Sequence, residues 1–306
     1  MSPVPTAQIA VFGSLNMDVV VRVPRAPEAG ETLQARELFT NPGGKGANQA
    51  VACARLGATV AMIGCVGSDD FGSQLVAVLR KDAIDVTHVR TDGPTSGVAV
   101  ILVDDDAENR IVIVAGANAQ VAASDAEAAR PLLESAAMTV LQLEVPLEGV
   151  VHAARIAHGA RRQVLLNPAP FLPLPAEVWP LVDVLVVNET EAAALSGTAV
   201  DGVTAAVAAA NAMRCRGPAT VIVTLGAAGA VLASPAGVRH FPARPVAAVD
   251  TTAAGDTFIG AFAAARVNGE SDETAMTLAL AAAALCVTRP GAQASIPYRR
   301  EVASNA

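Results

Sequence analysis

The sequence predicts an α/β protein with a central, mostly parallel sheet and helices on both faces. From Asp125 onward, stretches with helical spacing alternate with short apolar runs, the pattern of strand–helix–strand units. The chain is 52% hydrophobic and 16% charged, enough for a sizeable core. Two pairs of β-prone runs, within about 19–39 and 97–115, break the alternation, because no helix separates their members. The expected organisation is one α/β domain over 1–306, with those two excursions pairing into a small extra sheet. A small sheet is unstable alone, so it must pack over the active face as a lid or against a second subunit.

The elements follow in order. Gln8 to Phe12 is a buried strand ending at Gly13. Val19 to Val23 and Thr32 to Phe39 are β-prone pieces punctuated by Pro24, Pro27 and Gly30. Gly43-Gly44-Lys45-Gly46 breaks the chain before a helix over Ala47 to Leu56, stopped by Gly57. Val60 to Val66 reads as a strand and Phe71 to Lys81 as a helix. Gly97 to Val103 and Arg110 to Ala115 form a hairpin around Asp104 to Asn109. Helices at Asp125 to Ser135 and Leu147 to His158 precede strands at Thr139 to Leu143 and Gln163 to Leu166. A short helix near Trp179 precedes the strand Val184 to Val187. Helices at Thr190 to Leu195 and Thr204 to Arg214 precede Thr220 to Thr224. Gly229 to Ala233 and Val238 to Pro242 make a late antiparallel pair, and two long helices close the chain, the first including Gly260 to Val267.

Composition excludes several classes. A net charge of −8 argues against a general nucleic-acid binder, which needs a basic face. Cys53, Cys65, Cys215 and Cys286 are scattered, so neither a zinc site nor a disulfide framework is indicated; they read as small buried hydrophobes. The N-terminus lacks a signal-peptide pattern, and the most apolar run, Ala279 to Val287, is too short to span a membrane. The expectation is a cytoplasmic globule with no membrane partner. The four histidines, His88, His152, His158 and His240, lack metal-ligand spacing, and none is assigned a catalytic role.

In open α/β sheets ligands bind at the carboxyl ends of the strands, so polar residues just after predicted strands are the candidates. Asn16 and Asp18 follow the first strand and alternate, so both can face one ligand; amide and carboxylate together suit vicinal hydroxyls. An Asx turn would account for them as well. In Asn41-Pro-Gly-Gly-Lys-Gly-Ala-Asn48 the glycines allow close backbone approach, but the spacing is not that of a Walker loop. Glu144 follows another strand and could hold a ligand hydroxyl. Asn188 and Glu191 sit together at a helix start. Capping explains them without a ligand, while an amide and a carboxylate could also hold the water shell of Mg²⁺. Thr224-Leu225-Gly226-Ala227-Ala228-Gly229 offers a hydroxyl and a glycine-bearing turn for phosphates, or simply joins two strands.

The stretch Ala248 to Phe258 leads from small residues into an alanine-rich helix. Such a start presents N–H groups and a positive dipole end to an anion. Asp256 is an odd choice beside phosphate unless it takes a proton from an attacking hydroxyl. A simple helix cap is the other reading.

Gly13-Ser-Leu-Asn-Met-Asp18, Gly43-Gly-Lys-Gly-Ala-Asn-Gln-Ala50, Asn188-Glu-Thr-Glu191, Thr224-Leu-Gly226 and Asp250-Thr-Thr-Ala-Ala-Gly-Asp-Thr-Phe258 together resemble the ribokinase (PfkB-type carbohydrate kinase) family, in order over nearly the whole chain. The ending Val287 to Pro297 resembles it too. The resemblance implies a ribokinase-like fold and ATP-dependent phosphorylation of D-ribose at O5. Asp256 would be the base, and the N–H groups of Ala254 and Gly255 an anion hole. Ribose would lie against Asn16, Met17, Asp18, Gly44, Lys45, Gly46, Ala47, Asn48 and Glu144. ATP would lie against Asn188, Thr224, Leu225, Gly226, Ala227, Ala228, Gly229, Gly255 and Leu280, with Glu191 organising Mg²⁺ through water. A monovalent cation, usually K⁺, would sit among Asp250, Thr252, Cys286, Arg289, Gly291 and Ser295, and the lid would join two subunits in a homodimer. Ile259 stands where many members have Asn, and Leu280 where His or Asn is often found. Deoxyribose-specific relatives often lack the amide found here at Asn16, which favours ribose over 2-deoxyribose.

Overall fold

The computed structural model describes residues 7–106 and 109–304. The chain opens with strands β1 (Ile9–Phe12), β2 (Asn16–Arg22) and β3 (Glu37–Gly43), then helix α1 (Lys45–Arg55), β4 (Val60–Gly67), α2 (Asp70–Lys81) and β5 (Asp85–Gly93). The hairpin β6 (Gly97–Val103) and β7 (Asn109–Val114) follows, then α3 (Ala123–Ala128), α4 (Arg130–Ser135), β8 (Met138–Leu141), α5 (Leu147–Gly159), β9 (Gln163–Leu166) and β10 (Val184–Asn188). The last part holds α6 (Glu189–Ser196), α7 (Val203–Arg214), β11 (Thr220–Thr224), β12 (Ala230–Ser234), β13 (Gly237–Phe241), α8 (Ala254–Val267), α9 (Asp272–Cys286) and α10 (Arg299–Ser304).

Among the described residues, nine strands form the main sheet in the order β13-β12-β11-β10-β9-β8-β1-β4-β5. The strands from β11 to β5 pair in parallel, and β12 and β13 close one edge antiparallel. Successive side chains of β1 enter opposite layers, as the period of a strand requires: Ile9 and Val11 join the core under α1, α8 and α9, while Ala10 and Phe12 join the core under α3, α5 and α7. With few aromatics, the α1–α8 contact is made by small residues. A Cβ on Gly260 would lie 2.3 Å from the Ala52 Cβ and 2.8 Å from the Cys53 nitrogen, so only glycine lets α8 lie this close to α1. That approach sets the start of α8 against the start of α1.

The small second sheet has the order β3-β2-β6-β7. The two excursions pair with each other, as expected, through the parallel contact of β2 with β6. Both strands of the first excursion are shifted toward the site. β2 begins at Asn16, and β3 runs over Glu37–Gly43 instead of Thr32 to Phe39. The expected helix over Asp125 to Ser135 is two helices, α3 and α4. Pro131 in the first turn of α4 has no N–H to continue the ladder from α3. β8 ends at Leu141, short of the expected Leu143, because the Leu143 N–H turns to Ala169 O at 3.0 Å. α1 and α8 start earlier than the apolar spacing indicates, at Lys45 and Ala254. The edge strand β5 has no counterpart in the sequence reading. The expected burial of all four cysteines fails at Cys215, which is exposed at the end of α7.

Candidate active site

Three helices begin at the carboxyl end of the main sheet, under the small sheet. α1 begins at Gly44, which has no side chain to cap it. Glu144 and Ser14 serve from outside: Glu144 Oε2 accepts from Lys45 N at 2.9 Å and Ser14 Oγ at 2.5 Å, and Ser14 Oγ accepts from Gly46 N at 3.2 Å. α6 begins with a reciprocal capping box. Asn188 Oδ1 accepts from Glu191 N at 2.8 Å and Glu191 Oε2 accepts from Asn188 N at 3.0 Å.

α8 begins differently. Its N-cap is Ala253, held left-handed at φ 59° and carrying no capping group. The Ala254 N–H is spent on Thr251 O at 3.2 Å, whereas the N–H groups of Gly255 and Asp256 have no hydrogen-bond partner among the described residues. The open donors are thus Gly255 and Asp256, shifted by one residue from the pair the sequence suggested. Nor does Asp256 cap: its carboxylate accepts from Asn48 Nδ2 at 3.0 Å and Gln49 Nε2 at 2.9 Å. The other end of the Asn48 amide, Oδ1, is buried without a partner, free to accept from a ligand hydroxyl.

Two cavities meet at the turn before α8, and Thr251 lines both. One, of about 630 Å³, lies between the small sheet and the body and is lined by Asp18, Arg22, Phe39, Asn41, Asp250 and Gly291 among others. The other, of about 230 Å³, is lined by Lys45, Asn188, Glu191, Thr224, Gly255 and Asp256 among others. Burial and the charges of Glu144 and Asp256 push the Asp18 carboxyl up to about 7. Burial works to lower the Lys45 ammonium, but Asp256, Glu144 and Glu191 outweigh it and the shift is upward. No carboxylate lies within ion-pair distance of Lys45 among the described residues. A half-buried cation with no salt bridge therefore lines the same cavity as the open N–H groups, a combination suited to a multiply charged anion.

The remaining sequence candidates divide. Asn16 is buried on β2, its Oδ1 accepting from Asn118 Nδ2 at 2.7 Å. The side chains of Met17, Ala47 and Leu225 are packed in the core, so only their backbones could meet a ligand. Gly226, Ala227 and Ala228 form an exposed turn before Gly229. Leu280 packs half-buried on the core beneath α9, whereas Ile259 lines the smaller cavity. Asp250 gathers the proposed cation residues: Oδ1 accepts from Thr252 N at 2.9 Å and Oδ2 from Gly291 N at 2.9 Å, and these donors outweigh burial and lower its carboxyl. Cys286 Sγ lies 3.0 Å from Ser295 Oγ and 3.7 Å from Thr252 O. The Arg289 guanidinium pairs with Glu301 at 2.7 Å, so only its backbone is available.

Sequence reasoning passed over Ser14, Gln49, Asn118, Gln142 and Asn167, all buried here and all bonded to site residues or to one another. Gln142 and Asn167 stand directly after β8 and β9. The rule that singled out Glu144 and Asn188 reaches Asn167, after the strand ending at Leu166, but not Gln142, which lay inside the expected strand Thr139 to Leu143.

The pfkB family of carbohydrate kinases matches residues 6–299. The chain belongs to that family. Its relatives include a ribokinase of Haemophilus influenzae, 42% identical over 294 residues with 96% of each chain covered. A deoxyribokinase of Salmonella typhi is 40% identical, with 94% of this chain and 95% of the relative covered. Among solved structures, the Arabidopsis thaliana ribokinase complexed with ribose and ATP superposes with a TM-score of 0.90 at 33% identity, covering 98% of both chains. No helix among the described residues is long and apolar enough to cross a membrane.

Proposed function

We propose that this pfkB-family enzyme transfers the γ-phosphoryl group of ATP to O5 of D-ribose, giving ribose 5-phosphate and ADP. The observation that carries the reading is the start of α8, where a carboxylate held off its own helix stands beside two open N–H groups, at the junction of two cavities. Ribose takes the cavity under the small sheet against Asp18, which lines it, and by this reading would reach past that lining to Asn16 and the unpartnered Asn48 oxygen. ATP takes the cavity beside Asn188, Thr224 and the turn at Gly226, with Lys45 and the N–H groups of Gly255 and Asp256 facing the transferring group. Asp256 accepts the O5 proton as the oxygen attacks, and positioning and charge stabilisation supply the rest. Closure of the small sheet excludes water and limits ATP hydrolysis.

The residues fit the expected ions. Glu191 uses Oε2 in its cap and leaves Oε1 for water-mediated Mg²⁺, a common arrangement when phosphates provide other ligands. Bound with ATP, Mg²⁺ would neutralise phosphate charge as the phosphoryl group transfers. A monovalent cation, K⁺ by this reading, would take backbone oxygens from Thr252, Cys286, Arg289 and Gly291 near the Asp250 carboxylate and Ser295. The hydrogen bond from Gly291 N to Asp250 Oδ2 already draws these two loops together. The reading also makes the enzyme a homodimer joined through the small sheet. Ile111, Val112, Ile113 and Val114 on its edge strand are each more than half exposed, and an exposed apolar edge of this kind is normally covered. A cytoplasmic location completes the reading.

A coupled ADP-release assay across pentoses, 2-deoxyribose, hexoses and nucleosides tests the substrate. D-ribose should give the highest kcat/KM, and a higher value for 2-deoxyribose or a nucleoside would replace ribose in this reading. Equal rates in K⁺, Na⁺ and a bulky organic cation would remove the cation site.

A further inference from the structure

Four buried amide side chains converge on Asp256. Gln142 donates from Nε2 to Gln49 Oε1 at 2.6 Å. Gln49 donates from Nε2 to Asp256 Oδ1 at 2.9 Å and to Asn167 Oδ1 at 3.2 Å. Asn167 donates from Nδ2 to Val186 O at 3.0 Å. Asn48 holds the second carboxylate oxygen at 3.0 Å.

The ends of this chain fix the direction of every bond. An ionised carboxylate and a backbone carbonyl only accept. Asp256 therefore selects the NH₂ group of Gln49, and Val186 O selects the NH₂ group of Asn167. Gln49 Oε1 then needs a donor, and Gln142 supplies it. Turning the Gln49 or Asn167 amide would set acceptor against acceptor. Room for Gln142 comes from Gly13, where a Cβ would lie 2.0 Å from Gln142 Oε1.

Asp256 is the third residue of α8, the position from which an acid can reach back to the N–H of its own helix start. Glu191 does so at the corresponding position of α6. Left to itself, Asp256 has the same alternative, and taking it would spend the carboxylate on the Ala253 N–H of its own helix start and turn it from the cavity it lines. We propose that Gln49 and Gln142 are positioning residues that hold the Asp256 carboxylate away from its own helix start, so that it stays free to act as the base beside the open N–H groups. The proposal rests on Asp256 being the base, and deepens that reading.

The test compares full-length Gln49→Met and Gln142→Met with wild type and Asp256→Asn, reading kcat, ribose KM, the pH profile of kcat and thermal unfolding. Loss of a hydrogen bond to a charged group should lower kcat about 10²-fold in Gln49→Met, and loss of the neutral bond that orients Gln49 should lower it about tenfold in Gln142→Met. Ribose KM should stay within about threefold. The acid limb of the kcat profile should move to higher pH in Gln49→Met, because a carboxylate that loses a donor holds its proton more tightly, and by less in Gln142→Met, where Gln49 loses only the bond that orients it. A merely structural role would lower the unfolding temperature without moving that limb. If Gln142→Met does not fold, Gln49→Met is read in the same way, and Gln142→Asn replaces the lost variant. Folded Gln variants with kcat within about twofold of wild type and an unmoved acid limb overturn the proposal, provided that Asp256→Asn is inactive. Near-normal turnover in Asp256→Asn would instead overturn the base assignment itself.

Discussion

Helices α6 and α8 both begin at the smaller cavity, and both carry an acid in the first turn, yet they finish their N-termini in opposite ways. α6 closes its own donors with Asn188 and Glu191. α8 leaves the donors of Gly255 and Asp256 open, behind an N-cap alanine whose left-handed backbone costs about 1 kcal/mol. A helix start can receive an anion only where its own side chains have not already satisfied it. α1 is a third case, capped by Glu144 and Ser14 from elsewhere in the chain. The local sequence of a helix start therefore does not determine whether it is a cap or a binding site.

The contrast breaks most severely at Asp256. Asp256→Asn should lower kcat by about 10²–10⁴-fold while ribose binding persists, the range for loss of a general base. Steady-state turnover together with equilibrium ribose binding checks it. Next comes Glu144. Glu144→Ala removes the outside cap of α1 and should destabilise the protein by about 2 kcal/mol, because it leaves the Lys45 N–H and Ser14 hydroxyl without their charged acceptor. Urea unfolding would show it.

Asp18 extends the contrast to carboxylates. Asp250 receives two backbone donors and its pKa is lowered, whereas burial, Glu144 and Asp256 raise Asp18 to about 7. A carboxylate accepts from sugar hydroxyls better than a protonated acid, so ribose KM should fall as pH rises from 6 to 8, by several-fold to about tenfold. The stability contribution runs the other way. Between the unfolded carboxyl range near 4 and the folded value of about 7, only the folded state keeps the proton, so stability declines as pH rises through that window and is level above it. Asp18→Asn should flatten both profiles, although its own ribose KM will be higher. The smallest effect belongs to α6. Asn188→Ala should cost about 1 kcal/mol of stability, the usual value of an N-cap, measurable by thermal unfolding.

Much of the fold was legible because the strands of the main sheet are apolar runs and the helices between them are amphipathic. β5 was missed because it is an edge strand. Of Asp85–Gly93, only Val89 and Gly93 are buried, so no apolar run announces it. The break between α3 and α4 was signalled by Pro131, which helical spacing alone disregards. At the site, the motifs pointed to Asp256, Asn48, Lys45 and Glu191, and the structure brings these four around one cavity and its immediate wall. Glu144 was read as a sugar ligand, and the structure adds its hydrogen bonds to the start of α1.

By itself the sequence determined the α/β class, the pairing of the two β excursions and the set of polar groups at the strand ends, because apolar periodicity and strand-end placement are local properties. Only the tertiary structure decided what the carboxylate of Asp256 does. Capping and base catalysis use the same residue type at the same helical position. Amides from α1, backed by others from the ends of β8 and β9 and distant in sequence, hold the carboxylate off its own helix start, which leaves it able to serve as the base we propose.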